Sequence, residues 1–180
     1  TSLSIQGLWA GPWLRDVAGF ERAGVAETLF LMAAAVTVGF VFWGWVADWL
    51  ARRGVPLTYT LGSGVALFLL ALASVTFEFD RTGLWPWLCL GLMGNVTALS
   101  YTVVSRHFPL ALSGRATTAL NLLVFLGAFS VQSAMGGIVD LVAADAREPY
   151  PAIAYQAAFG TFLALCALAW VWYLVAGRRA

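Results

Sequence analysis

Residues 54–77 read GVPLTYTLGSGVALFLLALASVTF, 24 residues between Arg53 and Glu78 without one charged side chain. A helix needs about 20 apolar residues to cross the hydrocarbon of a bilayer, so this stretch has the length of a span. A membrane β-strand would instead alternate apolar and polar residues, and the run Leu67 to Leu72 does not alternate. Lipid offers the backbone no hydrogen-bond partner, so the span must be a helix. The same pattern extends in both directions. Glu27 to Asp48 encloses 20 uncharged residues, Arg81 to Arg106 24, Arg115 to Asp140 24, and Glu148 to Arg178 29. The 14 uncharged residues before Arg15 are too few for a crossing and lack the basic start of a signal peptide. They are read as the latter part of a helix. The expected fold is an all-α membrane protein, a six-helix bundle with its first helix truncated. Its spans are expected at approximately 1–14, 28–48, 56–77, 84–106, 116–139 and 152–176.

Composition excludes the ordinary alternatives. Of 180 residues, 61% are hydrophobic and 11% charged, against roughly 45–50% and 25% in soluble domains. Nine Trp, twelve Phe and a net charge of only +1 exclude a disordered tail and a basic nucleic-acid binder. Sorting the charges by connection gives an orientation. The first, third and fifth connections (15–27, 78–81, 140–148) carry a net −4. The other side carries Arg52, Arg53, Arg106, Arg115, Arg178 and Arg179 against Asp48 alone, a net +5. By the positive-inside rule the second group, with the C-terminus, is cytoplasmic. Trp85/Trp87 and Trp170/Trp172/Tyr173 fall near helix ends, where amphipathic rings favour the interface.

Polar residues inside the spans are few and patterned. In the fourth, Gly91, Asn95, Ala98, Thr102 and Ser105 share one helical stripe, opposite Leu92, Val96, Leu99 and Val103. The fifth repeats this with Asn121, Phe125, Ala128 and Gln132, and Gln6 is the matching amide of the first helix. Two readings stand: amides that hydrogen-bond helix to helix, or a cavity walled by neutral amides, hydroxyls and aromatics such as Trp9 and Phe125. The third and sixth spans are leucine- and alanine-rich and are expected to face lipid. Pro12 after Gly11 invites a kink.

No Asp, Glu, Lys or Arg lies deep in any span, so no proton relay is expected within this chain. His107 sits beside Arg106 at a helix end with no nucleophile or carboxylate that the sequence pairs with it, and reads as an interfacial residue. Cys89 and Cys166 fall inside spans and read as packing residues. No catalytic set, metal site or cofactor is expected.

Gly44-Trp45-Val46-Ala47-Asp48-Trp49-Leu50-Ala51-Arg52-Arg53 follows the second span. This resembles the glycine, three residues, aspartate and basic cluster of the loop after the second helix in each half of major facilitator superfamily transporters. Gly44, Asp48, Arg52 and Arg53 match, whereas Trp49 stands at the usual basic position and Ala51 at the usual glycine. Residues 4–14 resemble the outer end of the family's helix 7. Phe108-Pro109, Gly114-Arg115-Ala116 and Asn121 resemble its helix 10 to 11 region. The resemblance covers the chain from mid helix 7 through helix 12.

The resemblance implies the C-terminal half of a secondary transporter working by alternating access. A small solute would sit at the interface with an N-terminal half. Its cavity contacts are expected to be Gln6, Trp9, Asn95, Asn121, Phe125 and Gln132. The resemblance also implies a cytoplasmic gate of Gly44, Asp48, Arg52, Arg53 and Arg115. In that gate Asp48 accepts from the amides that open the next-to-last helix near Ser113 to Ala116. The alternative is a non-transporting, transporter-like subunit of a larger membrane complex, motivated by the absence of a first repeat from the chain. Expected partners are the lipid bilayer, the N-terminal half or another membrane subunit, and an unidentified small solute. No nucleic acid is expected.

Overall fold

The computed structural model describes residues 5–80, 84–143 and 149–177, and those residues are helical with short connections. Ser4, Arg81, Asp145, Arg147, Glu148, Arg178 and Arg179, used above, lie outside them. A π-helical turn, Ile5–Trp9, leads into α1 (Ala10–Asp16). Helix α2 is Arg22–Arg52 and α3 is Leu57–Thr76. The next rod is α4 (Leu84–Gly94), a 3₁₀ turn (Asn95–Ala98) and α5 (Leu99–His107). Helices α6 (Leu110–Val142) and α7 (Ala152–Gly177) complete the chain. Five rods are long and apolar enough to cross a membrane, with mean hydropathy between 1.4 and 2.0 over their best windows. This is the architecture of a multi-pass membrane protein.

Local chemistry explains the breaks. Proline lacks an N–H and its ring displaces the carbonyl four residues earlier. Ahead of Pro12 that carbonyl is Leu8, inside the π-turn, so the kink invited by Gly11-Pro12 appears as a widened helix. Phe108 is extended (φ −103°, ψ 149°), as the residue before a proline prefers, and this makes the α5–α6 elbow at Pro109. Helix α2 ends with Gly54 at φ 79°, its N–H on Ala51 O and that of Val55 on Leu50 O. The end of α3 copies this turn with Glu78 at φ 52°.

Interhelical bonds sort the rod ends into two groups. At one end Asp16 of α1 meets Tyr150 and Tyr155, and Glu78 beyond α3 meets Gln156 of α7. At the other, Tyr173 of α7 donates to Thr58 O of α3 at 2.9 Å. We call these the acidic and basic ends, after the charges that the alternating connections place there.

The core lies along α1, α3, α4 and the first half of α7, around Trp13, Leu72, Trp87, Leu90, Tyr155 and Phe159. Trp43, Leu61 and Val96 form a second cluster nearer the basic end. The expectation that the third span faces lipid is corrected here. In α3, 44% of the hydrophobic window is buried, the largest share of any rod, against 11% in α6. Gly62 and Gly64 permit this: a Cβ at Gly64 would collide with Val96 and Trp43, and one at Gly62 would touch Tyr173. The sixth span divides. Its first half is core, whereas Leu165, Leu168 and Trp172 farther along are exposed.

Candidate functional site

Gln6 and Trp9 both lie on the π-turn. The Gln6 side chain is buried, and its Nε2 donates to Leu90 O of α4 at 3.2 Å. Trp9 packs edge-on against Tyr155 of α7, ring centroids 6.4 Å apart, and its six-membered ring lies against Gly136 of α6. Gln6 Oε1 and Trp9 Nε1, an acceptor and a donor, have no hydrogen-bond partner among the described residues. Buried orphans of this kind cost about 1–3 kcal/mol each. Gln6 ties α1 to α4, so only one of its two polar atoms is left over.

Asn95 makes bonds of the helix-to-helix kind. It is 6% exposed and donates through Nδ2 to Val36 O of α2 at 2.7 Å and to Gly91 O at 3.2 Å. Gly91, in the same stripe, meets Met32 O and Ala35 of α2. The 3₁₀ turn that begins at Asn95 then changes the helical register. Below it, Thr102 lines a cavity beside Leu99 of the supposed opposite face.

Asn121 and Phe125 stand apart from this interior. Tyr101 OH of α5 donates to Asn121 Oδ1 of α6 at 2.8 Å, and this bond is exposed. Phe125, one turn along, is 66% exposed, and Gln132 farther along the stripe is half-buried. The six expected contacts therefore divide. Gln6, Trp9 and Asn95 belong to contacts among α1, α2, α4, α6 and α7, Asn121 and Phe125 occupy an uncovered face of α6, and Gln132 is half-buried farther along that helix.

At the basic end a cavity of about 380 Å³ lies among α2, the 54–56 turn and α5, lined by Gly44, Asp48, Gly54, Thr102 and Arg106. Two of the signature residues, Gly44 and Asp48, are thus brought together. The other three are not part of the lining. Arg53 places its guanidinium 3.7 Å from the centre of the Trp49 ring, a cation–π contact. Arg52 is exposed. Arg115 is exposed five residues inside α6, because that helix begins at Leu110. The Ser113 amide donates to Pro109 O at 3.0 Å and not to Asp48. The arginine facing the Asp48 cavity is Arg106.

One buried acid escaped the sequence reading. The Asp16 carboxylate is fully buried, with Arg15 Nε at 2.6 Å, Tyr155 OH at 2.7 Å and the Tyr150 amide at 3.4 Å. Burial alone would raise its pKa. The hydrogen bonds from Arg15 and Tyr155, the Arg15 charge and the Tyr150 amide outweigh burial and hold it below the ordinary carboxylate value. A charge at the edge of a span looks like a loop residue in sequence. Only the pairing of α1 with the start of α7 shows that this one is enclosed.

Among the described residues no cluster of three or more His, Cys, Asp or Glu is placed to hold a metal. No family model, curated protein or solved structure matches the chain.

Proposed function

We propose that the chain forms the C-terminal half of a secondary transporter of the major facilitator type, with its solute pathway against the face of α5 and α6. One observation carries this reading: the Tyr101–Asn121 hydrogen bond lies on an uncovered face of two membrane-spanning helices. An amide turned to lipid has no use, whereas one turned to a second half or an aqueous pathway has polar partners. Gly44 and Asp48 in one cavity with Arg106 support a gate at the basic end, with Asp48 working toward α5. In this reading the basic end is cytoplasmic, and the solute is small and bound by neutral groups of this half.

Cysteine accessibility tests the pathway. With Cys89 and Cys166 replaced by alanine, Asn121→Cys and Phe125→Cys in the membrane-embedded protein are expected to react with a membrane-impermeant maleimide. Leu168→Cys, on the exposed face of α7, is expected not to react. Equal protection at all three positions refutes the pathway. Unchanged gating accessibility in Asp48→Asn refutes the role of Asp48.

A second reading, a non-transporting assembly subunit, is favoured by Gln6 and Asn95, whose amides are spent on backbone carbonyls inside the bundle. Stoichiometric co-purification with a larger complex, together with an unreactive α6 face, supports it.

A further inference from the structure

We propose that the basic end holds one anionic phospholipid, with its phosphate on Arg106, a hydroxyl-bearing headgroup in the Asp48 cavity and an acyl chain along the adjoining groove between α3 and α5. The inference is independent of whether the chain carries a solute. It begins from two adjoining spaces with a shared wall. The Asp48 cavity of about 380 Å³ and a groove of about 460 Å³ are both lined by Pro56, Leu57 and Arg106. Each is within the roughly 300–1,000 Å³ of small-molecule sites.

The two spaces differ in chemistry as the two parts of a lipid do. Beyond the shared wall, the groove is lined mainly by apolar side chains, Val103, Val104 and Phe108, together with Thr58 and His107. The cavity adds Asp48 and Thr102. Arg106 stands where the two meet, as the penultimate residue of α5 before the Phe108-Pro109 elbow. That is the depth at which arginines on membrane helices reach headgroups. Its planar fork of donors suits phosphate oxygens.

Among the described residues, neither Asp48 nor Arg106 makes an ion pair within 4.0 Å, although both line one cavity. The Asp48 carboxylate is free to accept from headgroup hydroxyls, and Thr102 supplies a further hydroxyl beside it. Charge decides the class of lipid. The described residues of this end carry Arg52, Arg53, Arg106 and Arg115 against the single carboxylate of Asp48, a field that favours an anionic headgroup over a zwitterionic one.

The test is native mass spectrometry of the purified full chain with phosphatidylglycerol, phosphatidylethanolamine and phosphatidylcholine of identical acyl chains. Phosphatidylglycerol is expected to bind most tightly and to weaken with salt. Arg106→Gln is expected to weaken it about fivefold, the share of one basic contact. Val104→Trp, which fills the groove, is expected to weaken all three lipids. Arg115→Gln, at the same end but outside both spaces, thins the general field only and is expected to weaken binding much less than Arg106→Gln. Phosphatidylethanolamine binding as tightly as phosphatidylglycerol overturns the anionic assignment. Equal losses in Arg106→Gln and Arg115→Gln overturn the site in favour of a diffuse basic surface. If Arg106→Gln does not fold, the headgroup ranking and salt dependence of the unaltered protein decide.

Discussion

Gly39, midway along α2, offers the most direct test of how the rods are joined. A Cβ built there would lie 2.6 Å from Leu92 O, 2.7 Å from Asn95 Nδ2 and 3.2 Å from Leu92 Cα. Ordinary carbon–oxygen contacts begin at about 3.3 Å, so α2 and α4 would have to separate by several tenths of an ångström. Neither obstacle is a free side-chain end. Leu92 O is backbone and already accepts from Trp43 Nε1 at 3.1 Å, and Asn95 Nδ2 is held by Val36 O. Overpacking costs about 1–3 kcal/mol, and an interhelical amide bond in a membrane bundle contributes about 0.6–1.7 kcal/mol. Gly39→Ala is therefore expected to cost about 2–4 kcal/mol, the two effects taken together. The assay is reversible denaturation in mixed micelles followed by helicity and tryptophan fluorescence. Gly114→Ala, with no atom within 4 Å of the added Cβ, serves as the control. Asn95→Ala alone loses the amide bond. In the double variant the costs are expected to fall short of their sum by about 0.5–1 kcal/mol, because both changes strike one contact. Wild-type stability of Gly39→Ala refutes the packing. Additivity of the two costs refutes the shared contact.

Asp16 predicts an acid transition. Its pKa is lowered in the fold, so its stabilisation is complete above the ordinary carboxylate value of 3.8 and is lost as pH falls from there through the folded pKa. The difference in unfolding midpoint between the wild type and Asp16→Asn is expected to be constant from neutral pH to about 5 and to shrink below about 4. An unchanged difference in acid refutes the assignment. Tyr155→Phe removes a hydrogen bond to a charged acceptor and is expected to cost about 1.5–3 kcal/mol in the same denaturation assay. Gly54→Ala forces a Cβ into the left-handed turn that ends α2 and is expected to cost about 1–2 kcal/mol. A neutral result shows that the turn is free to rearrange.

Charge-free windows located the rods because charge is excluded from hydrocarbon, but they mark the lipid layer and not the helix ends. Glu27 lies inside α2 and Arg115 inside α6, both exposed, since a helix continues wherever its backbone bonds can form. The placement of α3 was less legible. Its leucines read as a lipid-facing helix, yet Gly62 and Gly64 let α2, the 3₁₀ turn and α7 approach closely, and small residues carried that signal. The register change at Asn95–Ala98 was hidden because a stripe assumes an uninterrupted helix. Thr97 Oγ1 bonds back to Gly94 O and Ser100 Oγ to Thr97 O, while Asn95 takes Gly91 O. Side chains that bond back to the backbone in this way bend helices. Three such residues close to Gly94 were the available clue.

The two ends of the bundle differ in how they are tied, and this bears on any motion the protein makes. At the acidic end a buried carboxylate joins α1 to the start of α7, and Gln156 donates to Glu78 at 2.9 Å. Parting the Asp16–Tyr155 pair gives up a hydrogen bond to a charged acceptor, about 1.5–3 kcal/mol, while Arg15 stays on the carboxylate. At the basic end Asp48 and Arg106 line a cavity without an ion pair between them, and the Arg53 contact with Trp49 lies within four residues of α2. Rotating α5 away from α2 at that end breaks no ion pair among the described residues. What resists it is packing: Trp43, Leu61 and Val96, with the Asn95 bond above them. Of the two ends the acidic one is therefore the more strongly tied, through the Asp16 clasp. The helix break nearest the loosely tied end is the 3₁₀ turn at Asn95–Ala98, below which α5 alone carries Thr102 and Arg106 into the cavity. Separation of α2 and α5, measured by paired spin labels at exposed Arg52 and His107, should vary between conditions while labels near Glu21 and Tyr150 stay fixed. Equal variation at both ends would remove the distinction between them.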